Sequence, residues 1–138
     1  MPRSNPQTKT LKTASAKAPP VSALALPQAV PHPLPEALVE LIADRFRVLG
    51  EPMRIMLLDA LRDGEATVGE LQTATGSSQQ NVSKHLGVLL RAGLIRRRKQ
   101  GNFAVYEISD PDVFVLCEHV CGGIRRHLDE LEGMLTSS

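Results

Sequence analysis

One short stretch of the chain contains four polar residues, Gln79, Gln80, Ser83 and Lys84. A glutamine side chain can pair with a base edge in a bidentate way, a serine is short enough for close approach, and a lysine amine reaches a phosphate. Helical spacing places all four away from an apolar stripe formed by Val82, Leu86, Leu89 and Leu90. The pattern therefore predicts a helix whose polar face suits a groove of DNA, with Ser78 contacting phosphate or capping the helix.

A second feature follows the polar helix, a run of four basic residues, Arg96–Lys99. Leu94–Arg98 and Phe103–Ile108 are predicted as two strands joined by a four-residue tip, Lys99–Asn102. Strand alternation sends Arg97 and Lys99 to one face and Arg96 and Arg98 to the other. Two interpretations of the run are open: Arg97, Arg98, Lys99 and Asn102 contact DNA, or the charges guard a strand edge against aggregation.

The remaining signals define the elements around these two features. A capping box at Thr67–Glu70 begins a short helix, Gly76 turns the chain, and Ser77 or Ser78 caps the polar helix, so the pair is predicted to form a helix-turn-helix. We expect a mainly α fold with a β-hairpin wing, a winged helix-turn-helix of order α-α-α-α-β-β-α. Its elements are predicted at 36–49, from Pro52 to Asp63-Gly64, at 67–74, at 79–92, in the hairpin, and from Asp110-Pro111 to about Leu135.

Composition divides the 138 residues into two parts. Residues 1–35 hold eight of the 10 prolines and four bases without an acid, which predicts a disordered basic tail. Residues 36–138 form the predicted domain, where 12 of the 16 bases meet all 15 acids, a balance of −3. No apolar run approaches the ~20 residues of a membrane helix. Two cysteines make no disulfide framework and indicate a reducing compartment, so we expect a cytoplasmic protein.

Cys117 and Cys121 lie four residues apart, on one face of the predicted last helix. Two thiolates at this spacing can chelate a soft ion such as arsenite or zinc, with a second protomer completing the site. The alternatives are buried structural cysteines, because the same face is apolar, and thiols that are oxidised or modified. The adjacent Gly122-Gly123 predicts close approach of a partner helix or a local kink.

His85 borders the buried stripe of the polar helix. Two roles are open from its position: contact with DNA, or a hydrogen bond that supports the hairpin.

Several segments together carry a resemblance to a known family. They are Leu49–Ile55, Ser78–Leu86, Leu89–Ile95, Arg98–Asn102 and Tyr106. These segments resemble the ArsR (arsenic-repressor-like) family of bacterial regulators over about residues 36–135. The resemblance implies a homodimeric winged-helix repressor that binds an operator in double-stranded DNA. It also implies that the first and last helices (about 36–49 and 111–135) form the dimer, and that a metal, metalloid or thiol-reactive signal releases the DNA.

The chain departs from the family at its two known effector sites. Thr67, Val68 and Gly69 stand where the family's arsenic site has Cys-Val-Cys. The four positions of the family's zinc site hold Asp110, Asp112, Gly123 and Arg126, of which the last two cannot ligate a cation. Both sites are therefore expected to be absent, which leaves Cys117 and Cys121 as the candidate sensor.

We predict a sequence-specific DNA-binding transcriptional regulator. Two alternatives stay open at this point, a winged helix that binds protein instead of DNA and a regulator without a small-molecule effector. No residues stand at a spacing that suggests catalysis, so an enzyme is not expected.

Overall fold

A computed structural model describes residues 30–137 of the chain. The predicted disordered tail falls mainly on residues 1–29, which lie outside the described residues, so it stays a prediction. Residues 30–35 contain no helix or strand. The elements that follow are α1 (Glu36–Leu49), α2 (Pro52–Ala60), β1 (Ala66–Thr67), α3 (Val68–Thr75), α4 (Gln79–Arg91), β2 (Ile95–Gln100), β3 (Phe103–Ile108) and α5 (Asp112–Thr136). The predicted order of four helices, a hairpin and a long helix is confirmed.

The strands form a three-stranded antiparallel sheet in the order β1-β3-β2. The predicted tip at Lys99–Asn102 is too long: Lys99 pairs with Ala104 and Gln100 with Phe103, so both belong to β2 and the tip is a two-residue turn at Gly101-Asn102. Gly101 has φ +63°, a left-handed conformation that favours glycine. β1 was not predicted, because two residues are too short for an alternation pattern; the sequence indicated Thr67 only as a helix cap.

The core lies where α2, α3 and α4 meet the sheet. Eleven buried residues form one apolar cluster, Leu57, Leu58, Leu61, Leu71, Val82, Leu86, Leu89, Leu94, Ile95, Tyr106 and Val113. The cluster holds α4 by its apolar stripe, as predicted, so the opposite side of α4 stays free. Burial of such side chains is the main stabilising contribution to a domain of this size.

The helix-turn-helix forms by the predicted local signals. The Thr67 hydroxyl accepts from the Glu70 amide at 3.2 Å, and the Glu70 carboxylate accepts from the Thr67 amide at 2.9 Å. Gly76 ends α3 with φ +70°, and Ser78 caps α4. These contacts satisfy backbone donors that a helix start leaves unpaired.

The start of α5 differs slightly from the prediction. The helix begins at Asp112, after Pro111, and its first amide donates to the Asp110 carboxylate at 3.2 Å. Asp110 therefore still satisfies a free donor at the helix start, as the sequence indicated.

α1 and α5 have apolar faces that the described residues leave largely uncovered. α1 has no buried residue, and Val113 is the single buried residue of the 25 in α5. Within residues 30–137, none of the helices combines the length and apolar character needed to cross a membrane.

Candidate nucleic-acid interface

The polar face of α4 is open to solvent. Gln79, Gln80, Ser83 and Lys84 are all exposed, while the apolar stripe of the same helix is buried at Val82, Leu86 and Leu89 and partly buried at Leu90. The helix therefore presents side chains that can reach base edges and phosphates, with the N-terminal amides at the same end.

Ser77 and Ser78 fix the turn before α4. The Ser78 hydroxyl accepts from the Asn81 amide at 3.1 Å. The Asn81 side chain donates to the Ser77 hydroxyl at 2.7 Å. Sequence reasoning gave Asn81 no role, although an asparagine four residues after a serine at a helix start is a signal for such a contact. Ser78 thus serves as a cap and stays exposed at the helix end.

The hairpin divides its basic residues into two sets, as strand alternation predicts. Arg97 and Lys99 are exposed, and neither forms an ion pair with any residue between 30 and 137. Asn102 is exposed in the turn itself. These three side chains are free to meet a phosphate backbone.

Arg96 and Arg98 form the second set, and both are engaged by carboxylates. Arg96 Nε donates to Glu107 Oε2 at 2.8 Å, and Arg98 Nε lies 3.7 Å from the same oxygen. Arg98 also pairs with Glu65. The hydrogen bond from Arg96, together with the charges of Arg96 and Arg98, holds the pKa of Glu107 below its ordinary value against the opposing effect of desolvation.

These two acidic partners were missed from the sequence. Glu107 faces Arg96 across the hairpin, a register that counting back from the Gly101-Asn102 turn would have found. Glu65 precedes β1, 33 residues from Arg98, and no local pattern connects the two.

His85 does not share the open face of α4. Its side chain is buried, and its Nδ1 lies 3.0 Å from Nη1 of Arg54 on α2. The expected hydrogen-bonding role therefore has a partner in α2 instead of the hairpin. A direct contact of His85 with DNA would require the ring to leave this position.

The two cysteines lie on the uncovered face of α5. Cys117 is partly buried and Cys121 is exposed, so neither is a fully buried structural residue in the single chain. Between residues 30 and 137 there is no group of three or more His, Cys, Asp or Glu side chains arranged to hold a metal ion.

A short helix, a glycine turn, a second helix with an open polar face and a basic hairpin define a winged helix-turn-helix protein. Comparison with known proteins agrees. A helix-turn-helix domain family matches residues 49–98. The HTH-type transcriptional regulator KmtR of Mycobacterium tuberculosis is 36% identical over 104 residues, covering 70% of this chain and 80% of that protein. The "Probable mercury resistance operon repressor" of Streptomyces lividans is 38% identical over 68 residues, covering 49% of this chain and 54% of that protein.

A solved structure supports the same assignment. It is the solution structure of a homodimeric winged helix-turn-helix DNA-binding domain from Mycobacterium bovis, described as a possible ArsR-family transcriptional regulator. It is 29% identical, covers 72% of this chain and 95% of that chain, and superposes with a TM-score of 0.61. The chain belongs to the ArsR family of winged helix-turn-helix regulators. It is a DNA-binding transcriptional regulator and not an enzyme.

Proposed function

We propose that the chain is a homodimeric repressor that reads an operator with α4 and holds the flanking backbone with its hairpin. The observation that carries this proposal is the open polar face of α4 beside a hairpin whose Arg97 and Lys99 have no ion-pair partner between residues 30 and 137. Because the target is genomic DNA, we infer that the protein acts in the cytoplasm of a bacterial cell.

The proposed contacts divide into reading and positioning. Gln79 and Gln80 read base edges, since a glutamine amide both donates and accepts. Ser83 allows close approach, Lys84 meets a phosphate, and the exposed Ser78 lies at the helix end where a phosphate binds well.

The wing contacts are Arg97, Lys99 and Asn102 on the backbone. Arg98 contributes only when it exchanges its carboxylate partners for a phosphate, because its guanidinium is already shared with Glu65 and Glu107.

The test of DNA binding is selection from a randomised duplex pool, followed by titration of the enriched and random duplexes at several salt concentrations. We expect one enriched sequence, and random-duplex binding that weakens linearly with the logarithm of salt. Absence of both enrichment and salt-sensitive binding would refute the proposal.

We further propose that α1 and α5 form the dimer, since residues 30–137 leave their apolar faces largely uncovered. On α5, Ile124 and Leu128 are 55% and 57% exposed, and on α1 Phe46 is 55% exposed. Monomeric proteins rarely leave an apolar stripe of this length in water. A second copy, with the same stripe, is the natural occupant of a self-complementary interface.

Leu128→Gln tests this interface. Losing the exposed part of two leucines, one per subunit, costs the dimer about 2 kcal/mol, or roughly a thirtyfold higher dissociation constant. The matched control is Glu130→Gln, which places the same side chain on the opposite side of α5 and should leave the dimer intact. Analytical ultracentrifugation measures both; equal dissociation constants would exclude this face.

For the effector, we propose a soft metal or metalloid held by Cys117 and Cys121. Their thiols lie one helical turn apart on the same face as the proposed interface, and Cys121 is exposed. One protomer supplies only two thiolates, so the pair from a second copy would complete a site at the α5–α5 contact. The mercury-resistance name of one relative favours a thiophilic ligand; arsenite and zinc are the other candidates.

Operator binding is then measured for the wild type and for Cys117→Ser/Cys121→Ser, each with arsenite, zinc, mercuric ion or peroxide. We expect release of the wild type by at least one ligand and no release of the double variant. A regulator without a thiol effector would stay bound in every case, and release by peroxide alone would indicate oxidation.

A further inference from the structure

His85 occupies an unusual position on the proposed reading helix. It is the single buried polar or charged side chain between residues 30 and 137, with 6% of its surface exposed. It follows Ser83 and Lys84 directly in sequence, yet its ring points to the core side with Leu86. Contacts of the His85 ring therefore constrain the position of the helix that carries the reading residues.

The contact with Arg54 determines which nitrogen of the ring accepts a hydrogen bond. A guanidinium has donors only, so at a separation of 3.0 Å His85 Nδ1 must be the acceptor. The ring proton then sits on Nε2, which lies 4.0 Å from Oε1 of Glu51. Glu51 is itself held, because Oε1 accepts from the Met53 amide at 2.6 Å at the start of α2.

The other donors of Arg54 go to the end of α1. Nε donates to the Val48 carbonyl at 2.6 Å, and Nη2 donates to the Arg47 carbonyl at 3.1 Å. Carbonyls in the last turn of a helix lack partners within the helix, and a cation there also meets the negative end of the helix dipole. One guanidinium thus joins the C-terminal end of α1 to the middle of α4, and we call this set of contacts of Arg54 with His85, Val48 and Arg47 the clasp.

We propose that Arg54 and His85 are positioning residues for base reading, which set the angle of α4 relative to the end of α1. This inference rests on the proposed function, in which α1 belongs to the dimer and α4 reads DNA. In a dimer the two reading helices must enter grooves one helical turn of DNA apart, so the angle between the dimer helix and the reading helix determines the fit.

The distance from His85 to the reading residues makes a small tilt of α4 large at the DNA. Gln79 lies six residues before His85, about 9 Å along the helix axis. A tilt of about 10° at the ring moves Gln79 by roughly 1.5 Å, which is enough to break a hydrogen bond to a base edge. Phosphate contacts through long, flexible cations tolerate such a shift better, so specific binding depends on the clasp more than nonspecific binding does.

The test uses the full-length protein and three variants. His85→Leu removes the acceptor, and Arg54→Lys keeps the charge but cannot reach the ring and two carbonyls at once. His85→Asn restores an amide oxygen near the position of Nδ1. Arg91→Lys, an exposed change at the end of α4, is the matched control.

Each protein is titrated with a duplex that the wild type enriches from a random pool, and with random duplex. We expect His85→Leu and Arg54→Lys to lose about tenfold or more in affinity for the enriched duplex, while random-duplex affinity and its salt slope stay unchanged. His85→Asn should recover part of the loss, and Arg91→Lys should behave as wild type.

Four results would overturn the proposal. An equal loss of affinity for both duplexes would show that the clasp is only a structural contact. A lower unfolding temperature with unchanged binding would show the same. If His85→Leu does not fold, Arg54→Lys provides this comparison. Enriched duplex bound equally well by every variant would also refute the clasp, with the proposed function intact. A wild type that enriches no sequence would refute the proposed function and the clasp with it.

Discussion

Replacing Arg97 with alanine tests whether the hairpin holds the DNA backbone. Each phosphate contact that a basic side chain neutralises contributes about 0.9 to the slope of log affinity against log salt. A dimer has two hairpins, so Arg97→Ala should flatten this slope by about 1.8. The ratio of the DNA affinity of the wild type to that of Arg97→Ala should then be about twelvefold larger at 50 mM salt than at 200 mM salt.

Arg98→Ala should behave differently, although it removes the same charge from the neighbouring residue. The Arg98 guanidinium is already paired with the carboxylates of Glu65 and Glu107 in the free protein, so less of its charge is available to a phosphate. We expect a slope change of less than about half that of Arg97→Ala. Arg125→Ala, on the exposed surface of α5, corrects for loss of charge away from the hairpin.

Fluorescence anisotropy with a random duplex, at salt from 50 to 200 mM, provides the slopes. Equal flattening by Arg97→Ala and Arg98→Ala would show that the carboxylates do not occupy Arg98 in the complex. An unchanged slope for Arg97→Ala would exclude the free face of the hairpin as a phosphate contact.

Three further predictions concern base reading, pH and the dimer. Gln79→Ala should relax preference at one base pair by roughly tenfold in a selection experiment and leave random-duplex affinity unchanged; equal loss on both duplexes would argue against base reading. The pKa of Glu107 is lowered from 4.5 in the folded chain, so its pairing stabilises the fold fully above that value and is lost as pH falls through the lower, folded-state pKa. The stability difference between wild type and Glu107→Gln in urea unfolding should therefore be constant from pH 7 to 5 and shrink below about pH 4.5; a difference that already shrinks above pH 5 would contradict it. Gly123→Ala should weaken the dimer in ultracentrifugation, despite a gain of about 1 kcal/mol in helix propensity, if a partner backbone lies close there; a tighter dimer would indicate a kink instead.

Local signals predicted the elements well because each acts over a few residues. The capping box at Thr67, the left-handed Gly76 and the Ser78 cap all formed as the sequence indicated. The alternating faces of the hairpin were equally predictable, since strand geometry separates Arg97 from Arg98 without reference to the rest of the fold.

Contacts between distant segments were not predictable in this way. Nothing near Arg98 in the sequence indicates Glu65, and nothing near His85 indicates Arg54, because folding brings these pairs together over 33 and 31 residues. Strand β1 was also missed, since it exists only through pairing with β3.

The order of the helices and the residues that α4 exposes follow from the amino-acid sequence alone, because hydrophobic periodicity and capping are encoded locally, and the family follows from the resemblance of short motifs. The fold is needed to tell which basic residues of the hairpin have no ion-pair partner among residues 30–137. Electrostatic pairing depends on distance in space, so only the folded chain shows that carboxylates pair with Arg96 and Arg98 and leave Arg97 and Lys99 without an ion pair among residues 30–137. The fold also places His85 inside the domain instead of on its DNA-facing surface.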